Sequence, residues 1–132
     1  MTMPNSKRLL QAMVAVLALV PVSAGLAGVL LGPSAFAPSG DWPVDLDSHF
    51  HYLSGIFLAI GLAFWATVPA IERKTTLFRL AAAAVVLGGA ARLLSLVVDG
   101  VPSPPHLVGL CLELVVTPLL VVWQARVARA TD

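Results

Sequence analysis

Hydrophobic positions fill four long runs of the chain: Leu9 to Gly32, about Leu46 to Pro69, Leu77 to Val98, and Leu107 to Trp123. Each approaches or exceeds the roughly 17 to 25 residues that cross a hydrocarbon layer of about 30 Å as a helix. Backbone groups in lipid have no water to bond, so a spanning segment must satisfy them internally. The pattern predicts an all-α fold, a four-transmembrane-helix bundle with helices at about 9–32, 46–69, 77–98 and 107–125, in a single domain over residues 1–132. The punctuation agrees. GPSAFAPSGDWP (32–43) is a Pro/Gly/Ser loop, IERKTT (71–76) a charged turn, and DGVPSPPH (99–106) a proline-rich turn that cannot continue a helix. Pro21, Pro69 and Pro118 read as helix kinks or ends.

Composition narrows the class. With 58% hydrophobic residues, 11% charged and a mean hydropathy of +0.91, the chain cannot build an ordinary soluble core inside a charged shell. The bilayer is therefore the expected solvent. A net charge of +1 and eight scattered Lys and Arg give no basic surface for phosphate neutralisation, so no nucleic-acid partner is expected. The one cysteine, Cys111, excludes an internal disulfide and reads as a small buried apolar residue.

Charge also sets an orientation. Lys7, Arg8, Arg73, Lys74, Arg79, Arg126 and Arg129, seven of the eight basic residues, fall at one end of an up-and-down bundle, which the positive-inside rule makes cytoplasmic. Both termini are then cytoplasmic. The opposite face carries Asp41, Asp45 and Asp47. Trp65 and Trp123 fall near the inner interface and Trp42 near the outer one, as interfacial aromatics do. A rival reading makes Lys7-Arg8 and the first run a secretory signal cleaved after Ala24 or Ala37. The run, 24 residues long, exceeds the usual apolar core of a signal, so a retained helix is expected.

Arg92 interrupts the third run. At about 100° per residue, Ala81, Ala84, Gly88, Arg92, Ser95 and Asp99 share one narrow stripe, which must face protein because a charge turned to lipid is costly. The fourth run has a matching stripe of His106, Gly109, Glu113, Thr117 and Gln124. At about 1.5 Å per residue, Arg92 lies about 10 Å below Asp99 and Glu113 about 9 Å below Leu107. That common depth predicts an Arg92–Glu113 ion pair, for which a guanidinium fork is suited. On the second run Asp47, His51, Ser54 and Leu58 share a face, and His51 is expected as the guanidinium's third partner. The expected ligand-binding residues are Asp47, His51, Arg92, Ser95 and Glu113, with Asp99 and His106 in the same outer-half cluster. No comparable cluster is expected in the inner half. No metal is expected, since His49 and His51 point to nearly opposite sides of a helix, and no cofactor or nucleophile motif is present.

Three stretches, DLDSHFHYLSGIFLAIGLAFW, FRLAAAAVVLGGAARLLSLVVDGVP and LCLELVVTPLLVVWQ, together resemble a small bacterial four-helix integral membrane family catalogued as domain-of-unknown-function family 4345. The resemblance spans about residues 9 to 126 and is sharpest at Gly89, Arg92 and Ser95, at Gly100-Val101-Pro102, and at Glu113-Leu114 with Pro118. It implies a multi-pass protein of the bacterial inner membrane with no assigned activity. Family members often place an arginine four residues after an Asn or Asp, where this chain has Asp47 and His51. A histidine can change charge near neutrality and an arginine cannot, so a role resting on fixed charge there does not transfer.

Three functions compete. In the first, an outward-facing polar pocket of Arg92, Glu113 and His51 binds or transports a small polar or anionic molecule or lipid. In the second, the chain is a non-enzymatic accessory subunit. Arg92–Glu113 then staples helices, and Gly25, Gly28 and Gly32 pack within the bundle, against a membrane-protein partner or within a homo-oligomer. An enzyme using His51 or Glu113 as acid or base ranks last, because no nucleophile accompanies them.

Overall fold

The computed structural model describes residues 3–37 and 40–131, with side chains placed from Asn5 onward. Residues 38 and 39 of the predicted 32–43 loop lie outside the described residues. Those described are helical, with no strand. Four helices are long and apolar enough to cross a membrane: α1 (Asn5–Ala35), α2 (Val44–Ala70), α3 (Thr75–Asp99) and α4 (Pro104–Arg129). Their outward faces carry bare leucine and valine, such as Leu30 at 69% exposure, Leu87 at 71% and Val97 at 74%, and Cys111, expected to be buried, lies on this exposed face of α4. A surface so continuously apolar belongs in hydrocarbon.

The helices outrun the apolar runs at both ends for local reasons. Pro104 and Pro105 open α4, where a missing N–H costs nothing, and Arg126 and Arg129 occupy its last turn, where cations meet the negative end of the dipole. Asp45 and Asp47 sit in the first turn of α2, with the opposite benefit. Gly100, at φ +103°, ends α3 in a conformation that other residues rarely adopt.

Each predicted proline irregularity is present. The α1 helix is interrupted at Ala18, three residues before Pro21, and α2 finishes as a 3-10 turn, Val68–Ala70, containing Pro69. Before Pro118 the chain widens into a π-turn, Leu112–Val116. The proline ring excludes the carbonyl of the preceding turn, and Thr117 reaches back five residues, its N–H and its hydroxyl (2.9 Å) both donating to the Leu112 carbonyl.

The tightly packed core lies at the basic end, which holds the start of α1, the last turn of α4 and the α2–α3 turn. Leu10, Val14, Ile71, Phe78 and Val127 are buried there, with Phe64 and Phe78 meeting edge-on at 5.4 Å. This end also contains a polar network, contrary to the expectation that the inner half lacks one. Lys7 Nζ is 3.0 Å from the Glu72 carboxylate, and the fully buried Gln124 amide donates to the Ile71 carbonyl and the Thr75 hydroxyl, both at 2.9 Å. Trp123 donates to the Ser6 hydroxyl at 3.0 Å. The charged turn folds under the bundle, so Ile71 and the Glu72 side chain are covered while Arg73 and Lys74 stay exposed. Its own backbone N–H, then Lys7, holds the Glu72 carboxyl below the ordinary glutamate range against the opposing effect of burial.

Toward the acidic end the bundle divides into two hairpins. The α1–α2 hairpin is closed by glycines. A Cβ on Gly25 would lie 2.5 Å from the Leu58 backbone nitrogen, one on Gly61 2.9 Å from that of Val22, and one on Gly32 2.8 Å from His51 Nε2. The α3–α4 hairpin closes through Gly89, where a Cβ would lie 2.7 Å from that of Glu113. Between the hairpins, no residue of Leu19–Leu31 comes within 8 Å of α3 or α4, Cα to Cα, among the described residues. The result is a bundle packed at its basic end and split at its acidic end.

Candidate functional site: a cleft between two hairpins

The split forms a cleft of about 610 Å³ bounded by all four helices. Arg92 from α3 and His106 and Glu113 from α4 supply its charged and ionisable wall. The predicted ion pair is present as a fork: Arg92 Nε donates to Glu113 Oε2 at 2.9 Å and Nη2 to Oε1 at 3.1 Å. Two parallel charge-assisted bonds hold the guanidinium plane as well as its distance. Glu113 is nearly buried, its side chain 11% exposed, while that of Arg92 is 32% exposed. The carboxylate is therefore the enclosed partner and the guanidinium the accessible one. The π-turn carries Glu113 and keeps it on the same buried face as Thr117.

The third partner of Arg92 is His106 rather than His51. Arg92 Nη1 lies 2.8 Å from His106 Nδ1. A guanidinium only donates, so Nδ1 accepts, and the ring proton sits on Nε2. Fork and histidine together occupy three of the five guanidinium N–H groups.

The remaining sequence-predicted residues occupy two other places. Asp47, His51, Ser54 and Leu58 do share a face of α2, but that face turns to the glycines of α1. His51 Nδ1 is 3.0 Å from the Val29 carbonyl and Nε2 is 3.4 Å from Asp47. The reason is local: α1 leaves regular helix after Leu31, and residue 33, whose N–H would reach the Val29 carbonyl, is a proline. His51 donates to the oxygen left over. Ser95 donates to Asp99 at 3.1 Å, an exposed pair at the acidic end of α3. Asp47, His51, Ser95 and Asp99 do not line the cleft.

The small-residue stripe on α3 also behaves differently from expectation. Ala84 and Gly88 face the cleft, and a Cβ on Gly88 would meet nothing within 4 Å. The glycine that admits a neighbouring helix is Gly89, one position away. Sequence reasoning also missed the apolar wall opposite Arg92, formed by Phe50, Leu53, Phe57 and Ile60 of α2. In the sequence these are indistinguishable from lipid-facing positions.

A family model described as a domain of unknown function, DUF4345, matches residues 9–124. That is nearly the whole chain, and the protein belongs to this family. No curated protein and no solved structure matches it.

Proposed function

We propose that this DUF4345 member is a multi-pass protein of the bacterial inner membrane, with its basic end cytoplasmic, whose outward-opening cleft binds a molecule with a polar or anionic, hydrogen-bond-accepting head group. One observation carries the reading. After the fork to Glu113 and the bond to His106, Arg92 keeps two N–H groups without a protein partner among the described residues, in the wall of a 610 Å³ cleft. A staple alone needs no such cavity. Because Glu113 offsets the arginine charge, recognition rests on directed donors more than on net charge. The His106 Nε2–H adds a donor of the same sense.

The test is native mass spectrometry of the protein purified from its own membranes, wild type beside Arg92→Lys. Lysine keeps a cation for Glu113 but lacks the fork and its spare donors. A bound small molecule present in the wild type and lost in Arg92→Lys supports the site; equal content in both sinks it. The second reading, an accessory subunit, draws on the Ala84–Gly88 stripe, whose lack of close neighbours leaves room for a foreign helix. It expects a stoichiometric membrane protein, or a second copy of the chain, in place of a small molecule.

A further inference from the structure

We propose that the molecule held at Arg92 is a long-chain amphiphile, entering sideways from the bilayer, with its head group at Arg92 and His106 and its tail in the apolar part of the cleft. This rests on the binding reading above and adds the chemical class of the ligand. Three observations point to it. First, apart from Arg92, His106, Glu113 and Ser54, the cleft is lined by apolar side chains and glycine, with Phe36, Phe50 and Phe57 prominent. A small polar solute would leave those walls bare, and apolar walls do not hold ordered water well. Second, a smaller pocket of about 80 Å³ between Leu17, Pro21, Phe57, Val85 and Leu120 adjoins the cleft, sharing Phe57, Val85 and Glu113 with it. The pocket points toward the basic end, away from the polar corner. From Glu113 to Leu120 is about 10 Å along the helix, enough for a segment of alkyl chain. Third, Leu19–Leu31 stays more than 8 Å from α3 and α4, Cα to Cα, among the described residues, and the cleft-lining Val20 and Gly88 both remain exposed, which leaves the cleft a side opening between α1 and α3. An opening on that side admits a lipid-like molecule directly from the bilayer, a route a water-soluble ligand does not use.

The head group needs acceptor oxygens, which a phosphate monoester supplies whether or not it carries a chain. The probes are therefore ethyl phosphate and dodecyl phosphate, titrated onto the purified full-length protein and read by native mass spectrometry. A methylene moved from water into an apolar site gains about 0.8 kcal/mol, which is about fourfold, so two buried methylenes already exceed tenfold. Wild type is expected to retain dodecyl phosphate at concentrations at least tenfold lower than ethyl phosphate. Arg92→Lys is expected to weaken both by tenfold or more. Gly88→Leu puts a side chain into the open space of the cleft, and should cut the long-chain preference below threefold while melting no lower than wild type. Equal, Arg92-dependent retention of both probes would overturn the amphiphile and leave the site standing. A long-chain preference that survives Gly88→Leu would also overturn it, by placing the tail elsewhere. Retention of neither probe in an Arg92-dependent way overturns both readings.

Discussion

Gly88 and Gly89 are neighbours on one helix, yet alanine at the two positions should change stability in opposite directions. Replacing a helix-interior glycine by alanine restricts the unfolded chain and gains about 0.5 to 1 kcal/mol where space allows. At Gly88 a Cβ meets nothing within 4 Å, so Gly88→Ala should realise that gain in full. At Gly89 the same methyl would stand 2.7 Å from the Cβ of Glu113 and 2.9 Å from Leu114 Cδ2. Ordinary carbon–carbon contact begins near about 3.5 Å. The Glu113 Cβ is tied to the α4 backbone, so the helix itself must retreat by most of an ångström. Overpacking of this kind costs about 1 to 3 kcal/mol, and at 2.7 Å from a backbone-tied Cβ the upper part of that range applies, so after the propensity gain Gly89→Ala is left up to about 2.5 kcal/mol less stable than wild type. The retreat also lengthens the two bonds of the fork, since Glu113 moves with α4. Reversible unfolding in mixed micelles, followed by circular dichroism, measures both variants against wild type. Two changes of the same sign, or a stabilised Gly89→Ala, would refute the assigned α3–α4 contact and the open wall beside it.

Acid should loosen the basic end. The Glu72 carboxyl titrates below its unfolded value, so its contribution is complete above the ordinary glutamate pKa of about 4.3 and is lost as pH falls through the lower folded value. Melting temperature should therefore fall more steeply below about pH 4.3 in wild type than in Glu72→Gln, and parallel profiles would contradict the Lys7–Glu72 tie. Orientation can be read by cysteine labelling in a Cys111→Ala background. Val101→Cys should react with a membrane-impermeant maleimide in intact cells, and Thr131→Cys only after lysis. Reversed labelling would invert the outward opening. His51→Ala strips the Val29 carbonyl of its side-chain donor, and a loss of about 1 kcal/mol is expected with no effect on ligand retention, because His51 stands outside the cleft. Loss of retention in that variant would return His51 to the site.

The architecture was legible because the bilayer imposes one strong rule, that spanning backbone satisfies itself, and long apolar runs state it directly. Arg92 and Glu113 were legible for the same reason: a charge inside such a run has few permissible partners, and equal depth singles one out. His51 was misplaced by a different kind of fact. Its partner is a backbone oxygen freed by a proline on another helix, and carbonyls carry no signature in the sequence. The matching stripes Gly25, Gly28, Gly32 and Leu58, Ser54, His51, antiparallel and each about two helical turns long, were nonetheless a usable signal. Helical periodicity put Ala84, Gly88 and Arg92 on one face of α3, and all three line the cleft, but Ser95 and Asp99 lie outside it and the close helix contact falls to Gly89. The basic-end network stayed hidden because Glu72 and Gln124 sit where hydropathy reads turn and helix end. Only the packing of the turn beneath the bundle buries them.

Whether the guanidinium and its carboxylate hold a ligand or merely hold helices is decided most directly by exchanging them. Arg92→Glu and Glu113→Arg should each lower the melting temperature, by leaving two like charges at the pair, and the double variant should recover most of the loss because an ion pair is restored. Dodecyl phosphate retention should not return with it. The guanidinium would then rise from the π-turn of α4 instead of from α3, and its spare donors would leave the corner they share with His106. Recovery of stability without recovery of retention is the predicted result; recovery of both would mean that the pair only staples the helices and that the phosphate is held without the donors placed at Arg92.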